Sequence, residues 1–253
     1  MICWRYLAGI VTLLSAGLAM AQATPRIAII IDDLGYQFAA GQRALNLPGP
    51  VSYAILPDTP SGTLLARAAH ELGKEVLLHL PLEAVGHEGP DEPSGITLDM
   101  SREAFHAAFD AALASVPYAI GVSSHRGSLL TRHPGHMRWL MQELSERNDL
   151  FFIDCYTTAA SVALQIAAEF GVAATRRHVF LDHDRSPEAM TREFEKLTQL
   201  AGRQGIAIGI GHPHPETLSF LEVRLAELDV SKVKLIPVSE ALNSVEPGQA
   251  HEL

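Results

Sequence analysis

Successive short apolar runs in this chain end in residues able to bind a metal ion or move a proton: Asp32-Asp33, Pro57-Asp58, His79, His125, Asp154, Asp182-His183-Asp184, and His212 with His214. Parallel α/β proteins place their chemistry at the carboxyl ends of strands, so these residues mark one rim. Strands buried on both faces read as continuous apolar runs, and amphipathicity does not explain a charged or imidazole group at one end only. Asp and His offered from separate strand ends form the ligand set of a catalytic Zn, Mn, Fe or Co ion with a position left open for water. Such an ion lowers the pKa of that water, and a nearby carboxylate can take its proton. Adjacent aspartates suit this division of labour. Neighbouring side chains on an extended strand point to opposite faces, so Asp32 and Asp33 serve one site only if the chain turns there, as Gly35 allows.

The other candidates differ in setting. His79 and Glu83 form H-x-x-x-E with Pro81 between them, a spacing that belongs to a strand-to-loop turn. His125 sits in the small-residue stretch GVSSHRGS, where Gly127 lets backbone approach a ligand. His212 and His214 alternate with Pro213 and Pro215, a rigid extended segment that can hold one imidazole toward the site as a general acid and leave the other outside. Asp58 and Asp184 read equally well as caps of the helices that follow. Cys155 reads as packing, and His133 and His136 as surface residues at a helix start. Phe105 and Trp139 read as core.

Several chemistries are disfavoured. There is no P-loop and no G-x-S-x-G elbow, and the glycine-rich run from Gly205 to His212 leads into prolines, not into a helix that could receive a pyrophosphate. A formal charge of -10 with acids spread along the chain argues against nucleic acid or an anionic membrane surface as partner.

The elements that must position these residues follow from the hydrophobic pattern. A chain of 253 residues, 47% hydrophobic and 19% charged, can bury a large core at the size of one α/β domain. Apolar runs predict strands over Ile27–Ile31, Val51–Leu56, Glu75–Leu78, Ala119–Ser123, Leu150–Ile153, His178–Leu181, Ile206–Ile210 and Lys234–Ile236. Amphipathic stretches predict helices over Phe38–Leu45, Thr63–Leu72, Arg102–Ser115, Gly135–Arg147, Ala159–Phe170, Pro187–Arg203 and Pro215–Glu227. Alternation of this kind predicts a mainly parallel sheet in one domain from residue 26 to 243, with 244–253 as a tail. Residues 1–23, with Arg5, an apolar run from Leu7 to about Met20 and small residues at Ala19, Ala21 and Ala23, read as a signal peptide. The mature protein is then periplasmic or secreted, with no stable membrane span. Only Cys155 remains in it, so no internal disulfide forms. The irregular segment between Glu83 and Ser101 predicts a mobile loop over one end of the sheet.

The motifs IIIDDLG, VSYAILP, VLLHLPLE, IGVSSHRGS, FFIDCYT, VFLDHD and IGIGHPHPETL, in this order across about Arg26 to Leu242, resemble the divergent polysaccharide deacetylases of the NodB-like superfamily. These are exported relatives of the esterases that remove N-acetyl groups from chitin-like or peptidoglycan sugars. The resemblance implies an α/β fold, a distorted (β/α) barrel of seven or eight mainly parallel strands, a divalent metal with Zn first among the candidates, and hydrolysis of an amide on a polysaccharide substrate. It makes Asp32 the general base, Asp33 and His79 metal ligands, and His212 the group that protonates the leaving amine. Glu83 stands where the superfamily has its second ligand histidine, and SSHRGS replaces its Arg-x-Pro-Tyr motif. His125 is then the candidate replacement ligand, with Glu83 and Asp154 as further candidates, and Glu83, Asp154 and His214 as substrate contacts. The altered ligand set leaves a second reading: a catalytically inactive relative that binds glycan or regulates a cell-wall partner.

Overall fold

The computed structural model describes residues 24–86, 92, 94–147 and 150–242; the stretches read above as a signal peptide and a tail lie outside them. Nine strands form one parallel sheet: β1 (Arg26–Leu34), β2 (Ser52–Ile55), β3 (Val76–Leu82), β4 (Ala119–Arg126), β5 (Phe151–Asp154), β6 (Ala174–Arg176), β7 (Val179–Phe180), β8 (Ile206–Gly211) and β9 (Lys234–Leu235). The order is β6-β5-β4-β3-β2-β1-β8-β7, and β9 pairs with the start of β1. Helices α1 (Phe38–Leu45), α2 (Gly62–Glu71), α3 (Arg102–Ser115), α4 (Pro134–Glu146), α5 (Ala163–Phe170), α6 (Pro187–Gln204) and α7 (Pro215–Ala226) connect the strands, and a short α8 (Val238–Leu242) follows β9. The curled parallel sheet with helices is the distorted (β/α) barrel the resemblance implies, with nine strands among the described residues where seven or eight are expected. No helix among the described residues is long and apolar enough to cross a membrane.

Alternation along the strands sorts the core into two parts. On β1, Ile27, Ile29 and Ile31 belong to the cluster that also holds Ala44, Leu65, Phe105 and Leu140 of the helices. Ala28 and Ile30 face the other way, into an apolar cluster with Ala54, Leu77, Phe151, Ile153, Ile208 and Ile210. Ile236, just after β9, and Val238, Ala241 and Leu242 of α8 belong to the same cluster, so the chain end of the described domain packs into this interior. Each large side chain buried there contributes about 1.5–3 kcal/mol.

The structure differs from the expected elements in four places. β3 and β4 continue past His79 and His125 and stay paired as far as Leu82 and Arg126, so both histidines lie within strands instead of ending them. α5 starts at Ala163, not Ala159, because Thr158 and Ser161 form a turn in which the Ser161 hydroxyl donates to Asp154. α8, which carries part of the interior plug, has too few residues to show a helical period.

The fourth difference is a seam. The predicted strand His178–Leu181 is the second half of a segment that changes neighbours: β6 bonds to β5, and β7 to β8. Side chains fill the gap where it crosses over. His178 Nδ1 accepts from the Ile208 N–H at 3.0 Å, while the Arg177 guanidinium donates to the Cys155 and Tyr156 carbonyls. The sheet is thereby joined round through one chain segment.

Candidate active site

The inward parity of each strand decides which side chains reach the mouth of the barrel. On β1 the sequence Ala28, Ile30, Asp32 continues inward, and on β3 Leu77 is followed by His79. Asp33 would point outward on a regular strand. Its backbone instead takes a left-handed conformation, φ 60°, and the β1–β2 register shifts between Ile31 and Leu34. Aspartate is one of the few non-glycine residues that tolerates this region. The turn predicted at Gly35 therefore begins at Asp33, and Gly35 completes it at φ 135°, where a Cβ would stand 2.0 Å from Thr59 Oγ1. Left-handed residues also follow or end three other strands of this rim: Asp58 after β2, Arg126 on β4, and Tyr156 after β5. Strained backbone of this kind costs on the order of 1–3 kcal/mol per residue and concentrates at functional sites.

Asp33, His79 and His125 meet. Asp33 Oδ1 lies 3.1 Å from His79 Nε2 and 2.9 Å from His125 Nδ1, and the two nitrogens are 3.1 Å apart. Burial alone would raise the Asp33 pKa, yet the two imidazoles hold its carboxyl well below the usual carboxylate range. By geometry, Asp33 Oδ1 is buried and has no hydrogen-bond partner among the described residues, so its hold by the two imidazoles is chiefly one of charge. The far nitrogens have partners instead: His79 Nδ1 is 2.6 Å from Ser123 Oγ, and His125 Nε2 is 3.2 Å from Glu92 Oε1. If those nitrogens carry the protons, the near nitrogens offer lone pairs to the centre of the triangle. Ligands bound at the distances usual for Zn stand about 2.8–3.4 Å apart across four- to six-coordinate geometries. The triangle's edges fall in that range, and the donor set of one carboxylate and two imidazoles suits a divalent ion with open positions.

Asp32 adjoins this triangle. It is 2% exposed, with Oδ2 3.6 Å from His79 Nε2 and 3.3 Å from Cys155 Sγ, while Oδ1 is buried with no hydrogen-bond partner among the described residues. Burial and the neighbouring Asp32 push the Cys155 thiol pKa well up, so it stays protonated and donates. Cys155 was read from sequence as packing alone. Its place beside Asp32 follows from the parity of Phe151, Ile153 and Cys155.

His212 faces the triangle from β8's end. Its backbone N–H donates to Asp182 Oδ2 at 2.6 Å, Nδ1 pairs with Asp182 Oδ1 at 2.9 Å, and Thr217 Oγ1 donates to the same carboxylate. Nε2 is left 3.8 Å from Asp33 Oδ2. Burial disfavours the imidazolium, but the Asp182 hydrogen bond and the charges of Asp182, Asp33 and Asp32 outweigh it and raise the His212 pKa to about 9. Asp182 is correspondingly lowered, against its own burial, chiefly by His212. At neutral pH the pair is an imidazolium held by a carboxylate.

The remaining sequence candidates lie elsewhere. Glu83 Oε2 accepts from the Leu98 N–H at 2.6 Å and pins the segment Ile96–Leu98 against the end of β3. Asp154 faces away from the interior cluster, and its oxygens accept from Tyr156 N–H and Ser161 Oγ. His214 is the residue before α7, with its ring centroid 5.9 Å from that of His212. Asp58 accepts from the Ser94 hydroxyl instead of capping a helix, while Asp184 accepts from the Ser186 N–H at the start of α6. His136, expected at the surface, is buried between Phe105 and Trp139. Glu92 and Ser123, which orient the two histidines, carry no sequence signal, since each lies far along the chain from the histidine it contacts.

Comparison with known proteins agrees with this geometry. Residues 29–242 match the family described as divergent polysaccharide deacetylase. The uncharacterized protein YibQ of Escherichia coli K12 is 35% identical over 218 residues, covering 86% of this chain and 67% of that one. The crystal structure of uncharacterized protein ATU2773 from Agrobacterium tumefaciens C58 superposes with a TM-score of 0.82 at 22% identity, over 87% of this chain and 90% of that one. The catalytic domain of a peptidoglycan N-acetylglucosamine deacetylase from Eubacterium rectale shares the fold at a TM-score of 0.56 and 13% identity, over 85% and 88% of the two chains. With the match running from within β1 to the end of α8, the chain belongs to the divergent polysaccharide deacetylase family.

Proposed function

We propose that the protein is an exported, divalent-metal-dependent hydrolase that removes acetyl groups from N-acetylated envelope polysaccharide. The observation that carries this reading is the Asp33–His79–His125 triangle with a carboxylate on one side and an imidazolium on the other. A divalent ion such as Zn, held by those three residues, would polarise the amide carbonyl and acidify a water molecule. Asp32 Oδ1, buried and unpartnered, is the group that accepts the proton of the attacking water. The Cys155 thiol occupies Oδ2 and so leaves Oδ1 as the basic oxygen. His212 Nε2–H delivers a proton to the departing nitrogen as the C–N bond breaks, and Asp182 holds the ring in the tautomer and orientation this needs. The products are acetate and a free amine on the sugar.

The inactive, glycan-binding reading draws on Glu83, which occupies the usual second-histidine position and is engaged by the Leu98 N–H. Against it, His125 supplies a third donor from the neighbouring strand. Two measurements decide. Purified protein should hold about one Zn or similar ion, lost in Asp33→Ala and His125→Ala; an empty site in the native protein would remove the metal from the scheme. Acetate release from acetylated oligosaccharides should fall on the order of 10²-fold or more in Asp32→Asn. An unchanged rate would strip Asp32 of its role.

A further inference from the structure

The His79 ring faces two carboxylates at once. Its Nε2 lies 3.1 Å from Asp33 Oδ1, in the triangle already described, and 3.6 Å from Asp32 Oδ2 on the more deeply buried side. Cys155 Sγ stands 3.3 Å from that same Oδ2, and the ligand atoms of Asp32, His79 and Cys155 all lie within 4.8 Å of one another. This second triangle offers a carboxylate, an imidazole and a thiol, whereas the first contains no sulfur.

The surrounding structure holds all three residues in place. Asp32 and His79 are 2% exposed and Cys155 7%. The Cys155 N–H donates to Ser124 Oγ at 3.0 Å, and its carbonyl accepts from Arg177 Nε at 2.7 Å, so the backbone that carries the thiol is fixed on both sides. Ser123 engages His79 Nδ1 and leaves Nε2 as the ligating atom. Asp32 Oδ1 is a buried carboxylate oxygen without a hydrogen-bond partner among the described residues, a cost that a cation beside it relieves. Sulfur, oxygen and nitrogen ligands at the distances usual for zinc stand about 3.0–3.6 Å apart. The 3.3 and 3.6 Å edges match. Thiolate selects soft ions, while carboxylate and imidazole alone also suit Mn²⁺. One nitrogen lone pair binds one ion, so His79 serves one triangle at a time.

We propose that Asp32, His79 and Cys155 form a second metal site, selective for thiophilic divalent ions, and that an ion there excludes one from the Asp33–His79–His125 triangle by taking His79. As the sulfur–metal bond forms, the S–H bond breaks and its proton passes to solvent. The site is inhibitory because it turns Asp32 into a ligand. That consequence rests on the reading of Asp32 as the base; the site itself does not.

Titration of purified, metal-free protein with Cd²⁺ and with Mn²⁺ tests this. Cd²⁺ should bring up a thiolate-to-metal charge-transfer band in the near ultraviolet that saturates at about one ion per chain. Cys3 is the only other cysteine, so Cys3→Ser should keep the band and Cys155→Ser should lose it. His125→Ala, outside the second triangle, should keep the band while losing Mn²⁺ binding, followed by paramagnetic resonance of the free ion. Cys155→Ser should weaken Cd²⁺ by about tenfold or more and Mn²⁺ by less than about twofold. Asp32→Asn, with the thiol in place, should weaken Cd²⁺ to a similar degree; unchanged affinity there would reduce Cys155 to a lone thiol and overturn the site. A missing band, one that survives in Cys155→Ser, or one that needs His125 also overturns it. Acetate release that persists with the band saturated overturns the inhibition alone. If no ion supports acetate release, the deacetylase reading fails and the band still decides the site.

Discussion

Lowering the pH should open the seam of the barrel through a single imidazole. His178 accepts the Ile208 N–H through Nδ1, in the gap where the chain passes from β5 to β8. Protonation would turn that acceptor into a donor facing another donor. Burial, with Arg176 nearby, lowers the His178 pKa from 6.5 to about 4. Between these values the unfolded chain binds a proton that the folded chain refuses, so stability rises with pH across this window. The contribution is fully present above about pH 6.5 and is lost as pH falls toward 4. A shift of this size corresponds to about 3 kcal/mol at 1.36 kcal/mol per unit. That is a large share of the roughly 5–15 kcal/mol that holds a typical domain folded. His178→Asn keeps a neutral acceptor near the Nδ1 position and cannot titrate. Denaturant unfolding of both proteins at intervals from pH 7.5 to 4, metal-free, cancels the groups they share. The native protein should lose up to about 3 kcal/mol relative to the variant over that range. Parallel stability curves would refute the role given to His178 at the seam.

Other outcomes follow from the site. Asp182→Asn should bring the His212 pKa down from about 9 toward 6.5, read from the imidazole resonance of metal-free protein over a pH series. Ser123→Ala removes the partner of His79 Nδ1 and should weaken metal affinity by roughly 10–100-fold, measured by chelator competition, while the unfolding midpoint of the metal-free protein moves little. Gly35→Ala places a Cβ against Thr59 at a backbone angle that L residues rarely adopt, and should cost about 1–3 kcal/mol in denaturant unfolding. A native-like midpoint would show that the turn after Asp33 relaxes freely.

The main strands were legible because each is an apolar run with a polar boundary, and the convergence of Asp33, His79 and His125 was legible because each follows or interrupts such a run. Asp154 shows what that rule lacks. In Phe151-Phe152-Ile153-Asp154-Cys155 the inward positions are Phe151, Ile153 and Cys155, so the strand's end brings a thiol to Asp32 and turns the aspartate away. Counting parity from Ile30 to Asp32 and from Leu77 to His79 separates inward from outward residues, which strand ends alone do not. The seam was not legible, since Ala174–Arg176 has no apolar run and its pairing depends on backbone and side-chain bonds from distant segments. Glu92 was hidden for a similar reason: its segment has no periodicity, and only the fold brings it to His125.

The packed interior beneath the site also governs traffic. Ile30, Ile153, Ile208 and Ile210 fill the barrel, and Val238 and Leu242 pack with them, so among the described residues the interior below the mouth is filled. Whatever enters the mouth leaves by the same doorway. A long polymer can lie across such a doorway but cannot be threaded through it.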